Sequence, residues 1–254
     1  MYTTDHMDVR DYVSGVVQQP SGTYGNRVLD ALSPSALEGL APILEQVTLQ
    51  RREELVHPHE DPRYVYFPVS CVISWLSTLH SGATIEVATI GNEGVVGSPL
   101  IHGGARFPFL VMNQVAGVAL RTPVETFRAA VRTNRELAAV LEVYSHAFLV
   151  QVAQSGACNG LHGVGARCAR WLLMTQDRVG SAAFSMTHEL LADMLGAARP
   201  TVTEAIGELH ARGAVRSSAG QVQVLDRTAL EAASCECYAI IAAAYESFGV
   251  APEA

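Results

Sequence analysis

The chain has 254 residues, enough for one large domain or two of ordinary size with proper cores. Apolar residues make up 49% and charged residues 17%, which excludes a disordered chain. The net charge of −8 is spread unevenly, and it excludes a uniformly basic surface.

Residues 1–160 hold 10 Arg against 15 acids, residues 161–229 hold 7 against 6, and residues 230–254 hold 4 acids and no Arg. Only the middle segment escapes negative charge, so an anionic partner would be met there. The N-terminus, MYTTDHMDVRDYV, is acidic and lacks the apolar core of a secretory signal. The most apolar stretch, LAAVLEVYSHAFLVQVA, is interrupted by Glu142, His146 and Gln151, short of the roughly 18 unbroken residues of a bilayer span. A cytoplasmic protein without a membrane partner is expected. The five cysteines, at 71, 158, 168, 235 and 237, give no disulfide framework for such a compartment. Cys235-Glu-Cys237 could hold a metal, but a lone CxC lacks the second ligand pair of a closed site, so no metal is expected.

Residues 1–26 show weak periodicity and include QQPSGTYGN, which predicts a flexible arm. In NRVLDALSPSALEGLAPILEQVTLQ, Ser33-Pro34 is an N-cap followed by a first-turn proline. Leu37, Leu40, Ile43 and Leu44 would form the apolar face of that helix. From Arg51 to Arg121 the pattern turns to strands: YVYFPVS, CVISWLSTL, TIEVATI, FPFLVMN and VAGVAL, with a tight hairpin at His80-Ser81-Gly82. Short strands at this spacing predict a small antiparallel barrel or roll, either enclosing a ligand or simply packed.

A helical region follows from Pro123. Leu137, Leu141, Tyr144 and Phe148 recur at helical spacing, while Val140, Val143 and Ala147 cover neighbouring faces. One face would pack on the roll and the other, through Leu137, Leu141, Tyr144 and Phe148, on a second copy. An interior helix of a monomer would show the same pattern.

From His188 to Gly207 the sequence has the parts of a helix-turn-helix. Ala192 is small where two helices would cross, Gly196 suits a left-handed turn, and Leu191, Leu195 and Val202 would seal the corner. Pro200 sits at the start of the second helix. After Gly213 come a strand, the turn SSAG and the alternating QVQVL, which together read as a two-stranded wing.

Three stretches carry a resemblance: VYFPVSCVISWL, ATIGNEGVVGSPL, and SMTHELLADMLGAARPTVTEAIGELHARGAV with the wing. From about Asn26 to Leu230 the chain resembles the cyclic-AMP receptor/FNR (Crp/Fnr) family of bacterial transcription regulators. The resemblance implies an α+β chain. Residues 27–133 would form a cyclic-nucleotide-binding-like antiparallel β-roll and 134–160 a dimerisation helix. Residues 161–229 would form a winged helix-turn-helix and 230–254 a C-terminal tail helix. It also implies a homodimer reading a palindromic operator in double-stranded DNA, with RNA polymerase as a further partner and no catalysis.

Carried onto this sequence, the recognition helix would begin near Arg199, in the place of a base-reading Arg that donates two hydrogen bonds to guanine. Thr201, Thr203 and Glu204 follow on it. Pro200 replaces a base-contacting Glu of well-known members, so the operator should differ from theirs. Thr187 and His188 at the first helix, and Arg216, Ser217 and Ser218 at the wing, would contact phosphates. Between Ser185 and Arg216 three Arg face four acids, so binding would rest on few phosphate contacts, helix N-termini and dimeric avidity. If the winged helix did not read DNA, it would contact a protein within a ligand-sensing module.

For the effector the resemblance offers little. Glu93 and Arg106 are the candidate contacts, but Val95 and Val96 stand where the ribose-binding Glu should be, and Phe107 replaces a small hydroxyl residue. Regulation by cAMP is not expected. The N-terminal cysteines of an iron–sulfur sensor are missing, and His57-Pro58-His59 reads as a solvated turn rather than a haem or metal site. No cofactor is expected and the effector stays unassigned.

Overall fold

Burial begins at Asn26, three residues into the described chain. Asn26 caps α1 (Arg27–Asp30) by accepting from Val28 and Leu29 N–H, and its amide donates to the carbonyls of Pro68 and Gly94. The expected arm boundary at residue 26 is therefore too late, since the fold includes Asn26 itself. The computed structural model describes residues 23–97 and 107–246.

Ser33 caps α2 (Pro34–Glu38) as its sequence suggests, but the helix is short. A 3-10 turn at Ala41–Ile43 follows, and Glu45–Leu49 is strand β1 rather than a continuation of the helix. Pro42 interrupts the helical pattern, and EQVTL carries the β-branched alternation of a sheet. Next come β2 (Glu54–Val56), β3 (Tyr64–Pro68), β4 (Val72–Thr78) and β5 (Thr84–Ile90). The last two are joined at Gly82, which has a φ of 83°. Strands β6 (Leu110–Val115) and β7 (Gly117–Pro123) complete the roll.

Two antiparallel sheets result, in the orders β1-β7-β3 and β2-β6-β4-β5. Their facing sides share one core containing Phe67, Ile73, Trp75, Ile90 and Phe127. Trp75 packs edge-on against Phe107 and Phe148, with ring centroids 4.4 and 4.7 Å away.

After α3 (Val124–Thr133), Asn134 breaks the helix and caps α4 (Arg135–Leu161) by accepting from Leu137 N–H. By length and composition α4 could cross a membrane. Its buried face, however, carries Gln151, hydrogen-bonded to the Thr89 carbonyl and to Arg178, which is how a helix of a globular core is tied down.

The residues expected at a dimer interface are placed differently. Leu137, Leu141, Tyr144 and Phe148 are all buried within the chain, against the roll and the C-terminal helix. Their periodicity came from packing inside one chain. The outward face of α4 carries other residues: Val143, Leu149 and Leu161 are exposed, beside Ala139, Ala153, Gly156, Ala157 and Gly160.

Helix α5 (Val164–Val179) ends at Gly180 in a left-handed cap. Then follow β8 (Ala183–Ser185), α6 (His188–Leu195), α7 (Arg199–Ala211), and the wing strands β9 (Val215–Ser218) and β10 (Gln221–Val224). β8 adds to the wing as a third strand, in the order β8-β10-β9.

This unit does not stand apart from the roll. Its core, with Trp171, Leu172, Leu191 and Leu195, also includes Val72, Leu76, Met112 and Val115 from the outer side of β4 and β6. That second cover explains why residues Val72–Leu76 of β4 are buried on both faces.

The C-terminal segment is two helices, α8 (Arg227–Ala233) and α9 (Cys237–Glu246), rather than one tail. α9 returns to the main core, where Ile241 and Tyr245 are buried beside Tyr144.

Candidate nucleic-acid interface

α6 starts where Thr187 Oγ1 accepts from Leu190 N–H, and it stops at Gly196 with φ 56° and ψ 40°. α7 starts after Ala198, with Pro200 in its first turn, where a missing N–H costs nothing. Its inner face is Val202, Ala205, Ile206 and Leu209, all buried at steps of three, one and three. The opposite face presents Arg199, Pro200, Thr201, Thr203 and Glu204 to solvent, and four of these, Arg199, Pro200, Thr203 and Glu204, line an open depression. Arg199 has no acidic partner among the described ion pairs, so its guanidinium is free to meet an external acceptor.

His188 ties the three parts of the motif together. Its Nδ1 lies 3.0 Å from Thr203 Oγ1 on α7, and its Nε2 lies 3.2 Å from Ser217 Oγ on the wing. Thr203 Oγ1 donates to the Arg199 carbonyl at 3.0 Å, so it accepts from His188, which places the neutral ring's proton on Nδ1. Nε2 then accepts from the Ser217 hydroxyl. His188 is thus a brace between recognition helix and wing.

Thr187 Oγ1 accepts in the helix cap, which leaves its O–H able to donate. Arg216 and Ser218 are exposed along β9, and the turn at Ala219-Gly220, with φ 49° and 75°, joins them to β10. Positive φ at both central residues is the twist a two-residue hairpin needs. Glu204 stays on this exposed face, whereas two other acids are turned elsewhere. Asp193 faces Arg52 of the roll at 3.9 Å, and Glu208 lies beside Gly165 in the first turn of α5.

Residues 166–233 match the Crp-like helix-turn-helix domain. This segment is a Crp-like helix-turn-helix domain. The Transcriptional regulator SdrP of Thermus thermophilus is 38% identical over 58 residues, which is 23% of this chain and 29% of SdrP. The match therefore spans less than a third of that relative's length.

Over most of the chain the likeness is one of fold. FixK2 of Bradyrhizobium japonicum superposes with a TM-score of 0.65 at 19% identity, covering 76% of this chain and 98% of its own. The c-di-GMP responsive regulator CLP of Xanthomonas campestris gives 0.62 at 12%, covering 76% and 100%. A Crp/Fnr-family regulator from Eubacterium rectale gives 0.60 at 16%, covering 80% and 95%. The fold, roll and long helix included, is like that of these solved regulators.

The Crp-like domain is clamped to the roll by groups the sequence did not point to. Glu93, expected as an effector contact, is buried and pairs with Arg178 of α5 at 2.8 Å while accepting from Gly91 N–H. Its carboxylate is committed to that clamp. Arg178 also donates to Gln151 of α4. A Cβ on Gly91 would lie 2.5 Å from the Arg178 side chain, and one on Gly94 would lie 2.5 Å from the Tyr144 ring, so the GNEG turn is the slot into which α5 and α4 fit.

Glu86 of β5 accepts from Trp171 Nε1 at 3.1 Å and from Ser74 Oγ, and burial pushes its carboxyl up to about 7. Arg106 lies outside the described residues. His57 pairs with Glu54 at 3.2 Å on the surface, and His59 is exposed.

Proposed function

We propose that this chain is a sequence-specific, double-stranded-DNA-binding transcription regulator acting in the cytoplasm. It would work as a homodimer that reads a palindromic operator through α7. The observation that carries this reading is the exposed start of α7. Arg199, Thr201, Thr203 and Glu204 project there from a helix whose other face is sealed into the domain core, with a wing held alongside by His188. The relative's printed role as a transcriptional regulator supports it over the matched segment.

A second copy fits the outward face of α4. Leu149 and Leu161 are 64% and 82% exposed there, and the flanking Ala and Gly residues let two helix backbones approach closely. Two copies would set two α7 helices into successive major grooves, one helical turn apart. RNA polymerase is the natural further partner of a regulator so placed.

Control by cAMP has little support. Val95 and Val96 are buried in the core, Glu93 is spent on Arg178, and Phe107 is packed against Trp75.

The test is selection of bound sequences from random DNA by the purified chain, beside Arg199→Ala. The expected result is an inverted repeat with half-sites about 10 base pairs apart, and loss of one guanine preference per half-site in the variant at a cost of about 1–3 kcal/mol. Failure of any motif to emerge would turn the reading toward a winged helix that contacts protein.

A further inference from the structure

The end of α4, the start of α5 and the link from α8 to α9 converge on four side chains: Cys158, His162, Cys235 and Cys237. One ligand atom from each lies within 4.8 Å of all the others. Cys158 and His162 stand one helical turn apart at the end of α4, and the CxC pair reaches them across 77 residues, with Cys158 Sγ 3.5 Å from Cys235 Sγ. Cys237 Sγ lies 3.4 Å from His162 Nδ1. The second ligand pair that the CxC lacked in sequence is thus supplied by the fold.

We propose that these four residues bind a single zinc ion, through the three Sγ atoms and His162 Nδ1, as a structural site at the junction of α4 and α5.

Four observations carry it. Two of the separations, 3.5 Å between Cys158 Sγ and Cys235 Sγ and 3.4 Å between Cys237 Sγ and His162 Nδ1, suit one tetrahedral ion, whose metal–sulfur bonds of about 2.3 Å and metal–nitrogen bond of about 2.0–2.1 Å put ligand atoms roughly 3.5–3.8 Å apart. An iron–sulfur cluster distributes its thiolates over different irons and needs a wider set. Three thiolates and one imidazole, all protein-supplied, are the closed donor set zinc takes in structural sites.

The surroundings are also those of a ligated histidine. His162 Nε2, the nitrogen not facing the thiols, lies 3.4 Å from the Glu236 carboxylate, an arrangement that orients the ring and leaves Nδ1 free to coordinate. Gln154 Nε2 donates to Cys237 Sγ at 3.1 Å, a bond that would stabilise a thiolate.

Charge is matched as well. Binding would release three thiol protons to solvent, and three thiolates around a divalent ion leave one net negative charge. Arg167 and Arg170, whose Nε atoms are buried without hydrogen-bond partners, lie within electrostatic reach of Cys158.

The ion would staple the C-terminal segment to the hinge. His162 is the residue that ends α4, and Gly163 precedes α5, the first helix of the unit that carries α7. Arg167 of α5 donates to the Leu195 carbonyl at the end of α6, so the hinge is one contact away from the helix-turn-helix.

Elemental analysis of the full-length protein purified from zinc-supplemented cells is the test, alongside Cys237→Ser, Cys158→Ser and Glu236→Gln. About one zinc per chain is expected, lost in both Cys variants. Glu236→Gln removes no ligand and should fold, but should yield its zinc to a competing chelator about 10–100-fold more readily. Cobalt exchanged into the wild-type protein should give the intense visible bands of a tetrahedral thiolate site. A folded chain with no bound metal would overturn the proposal. So would iron in place of zinc, a Cys158–Cys235 disulfide in the isolated protein, or zinc retained by Cys237→Ser.

Discussion

His188 shows how one side chain can hold a surface together without being its contact. Its two ring nitrogens reach Thr203 and Ser217 at 3.0 and 3.2 Å, so the ring sets the distance between α7 and the wing. His188→Ala frees both hydroxyls to water, at a cost of about 1 kcal/mol of stability, since the freed groups lie near the surface. If the side chain is a brace, DNA affinity falls in that variant while the dependence of log K on log salt keeps its slope. Had it been a phosphate contact, the slope would drop by about one released ion. Titrating a fixed operator at several salt concentrations separates the two. Elsewhere a residue's partner decides its role in the same way. Glu93→Ala would leave Arg178 buried without its carboxylate, and a broken buried pair of that kind costs roughly 3–5 kcal/mol.

At the scale of elements, the turn between α6 and α7 is also a docking point. Gly196 has φ 56°, and a Cβ built on it would stand 2.9 Å from the Ile85 side chain of β5. Gly196→Ala therefore meets two separate costs: about 1–2 kcal/mol for a left-handed residue with a side chain, and a steric clash with the roll. Ile85→Ala in the same chain removes only the second. Thermal unfolding of the four members of that cycle should show the double variant more stable than the sum of the singles predicts. Additive losses would mean that the turn and β5 do not press on each other.

The comparison also shows what could be read from the chain. The turn and step pattern of α6, α7 and the wing are local, so Gly196, Pro200 and Val202 announced themselves, while the cap at Thr187, a residue expected on phosphate, did not. β1 was hidden because Leu44 and Val47 continue an apolar pattern begun in a helix, and β8 because three residues carry no period. Leu137, Leu141, Tyr144 and Phe148 were recognised as a buried face, yet nothing local distinguishes burial inside a chain from burial between two. Glu93 with Arg178, and Cys158 with Cys235, are separated by 85 and 77 residues, and only the fold brings them together.

For the whole molecule, the roll and the Crp-like domain are joined through buried polar groups, which makes their union sensitive to pH. Glu86 of β5 sits between Ser74 on β4 and Trp171 on α5, and the nearest cations are Arg170 and Arg178 of α5. Burial raises its carboxyl from 4.5 to about 7, against the opposing pull of the Ser74 hydrogen bond and the two Arg. A folded-state value above the unfolded one means that the folded chain holds the proton more tightly. The contribution is thus complete below about pH 4.5 and is lost as pH rises through 7, amounting to on the order of 3 kcal/mol. Glu86→Gln keeps a neutral acceptor for Trp171 and has no proton to lose. In denaturant titrations between pH 5 and 8, the wild-type chain should lose stability relative to Glu86→Gln as pH rises. Trp171 emission should follow the same midpoint, because its indole N–H donates to the titrating carboxylate. Parallel stability curves for the two proteins would place the ionisation of Glu86 outside this range and would remove pH from the coupling between roll and winged helix.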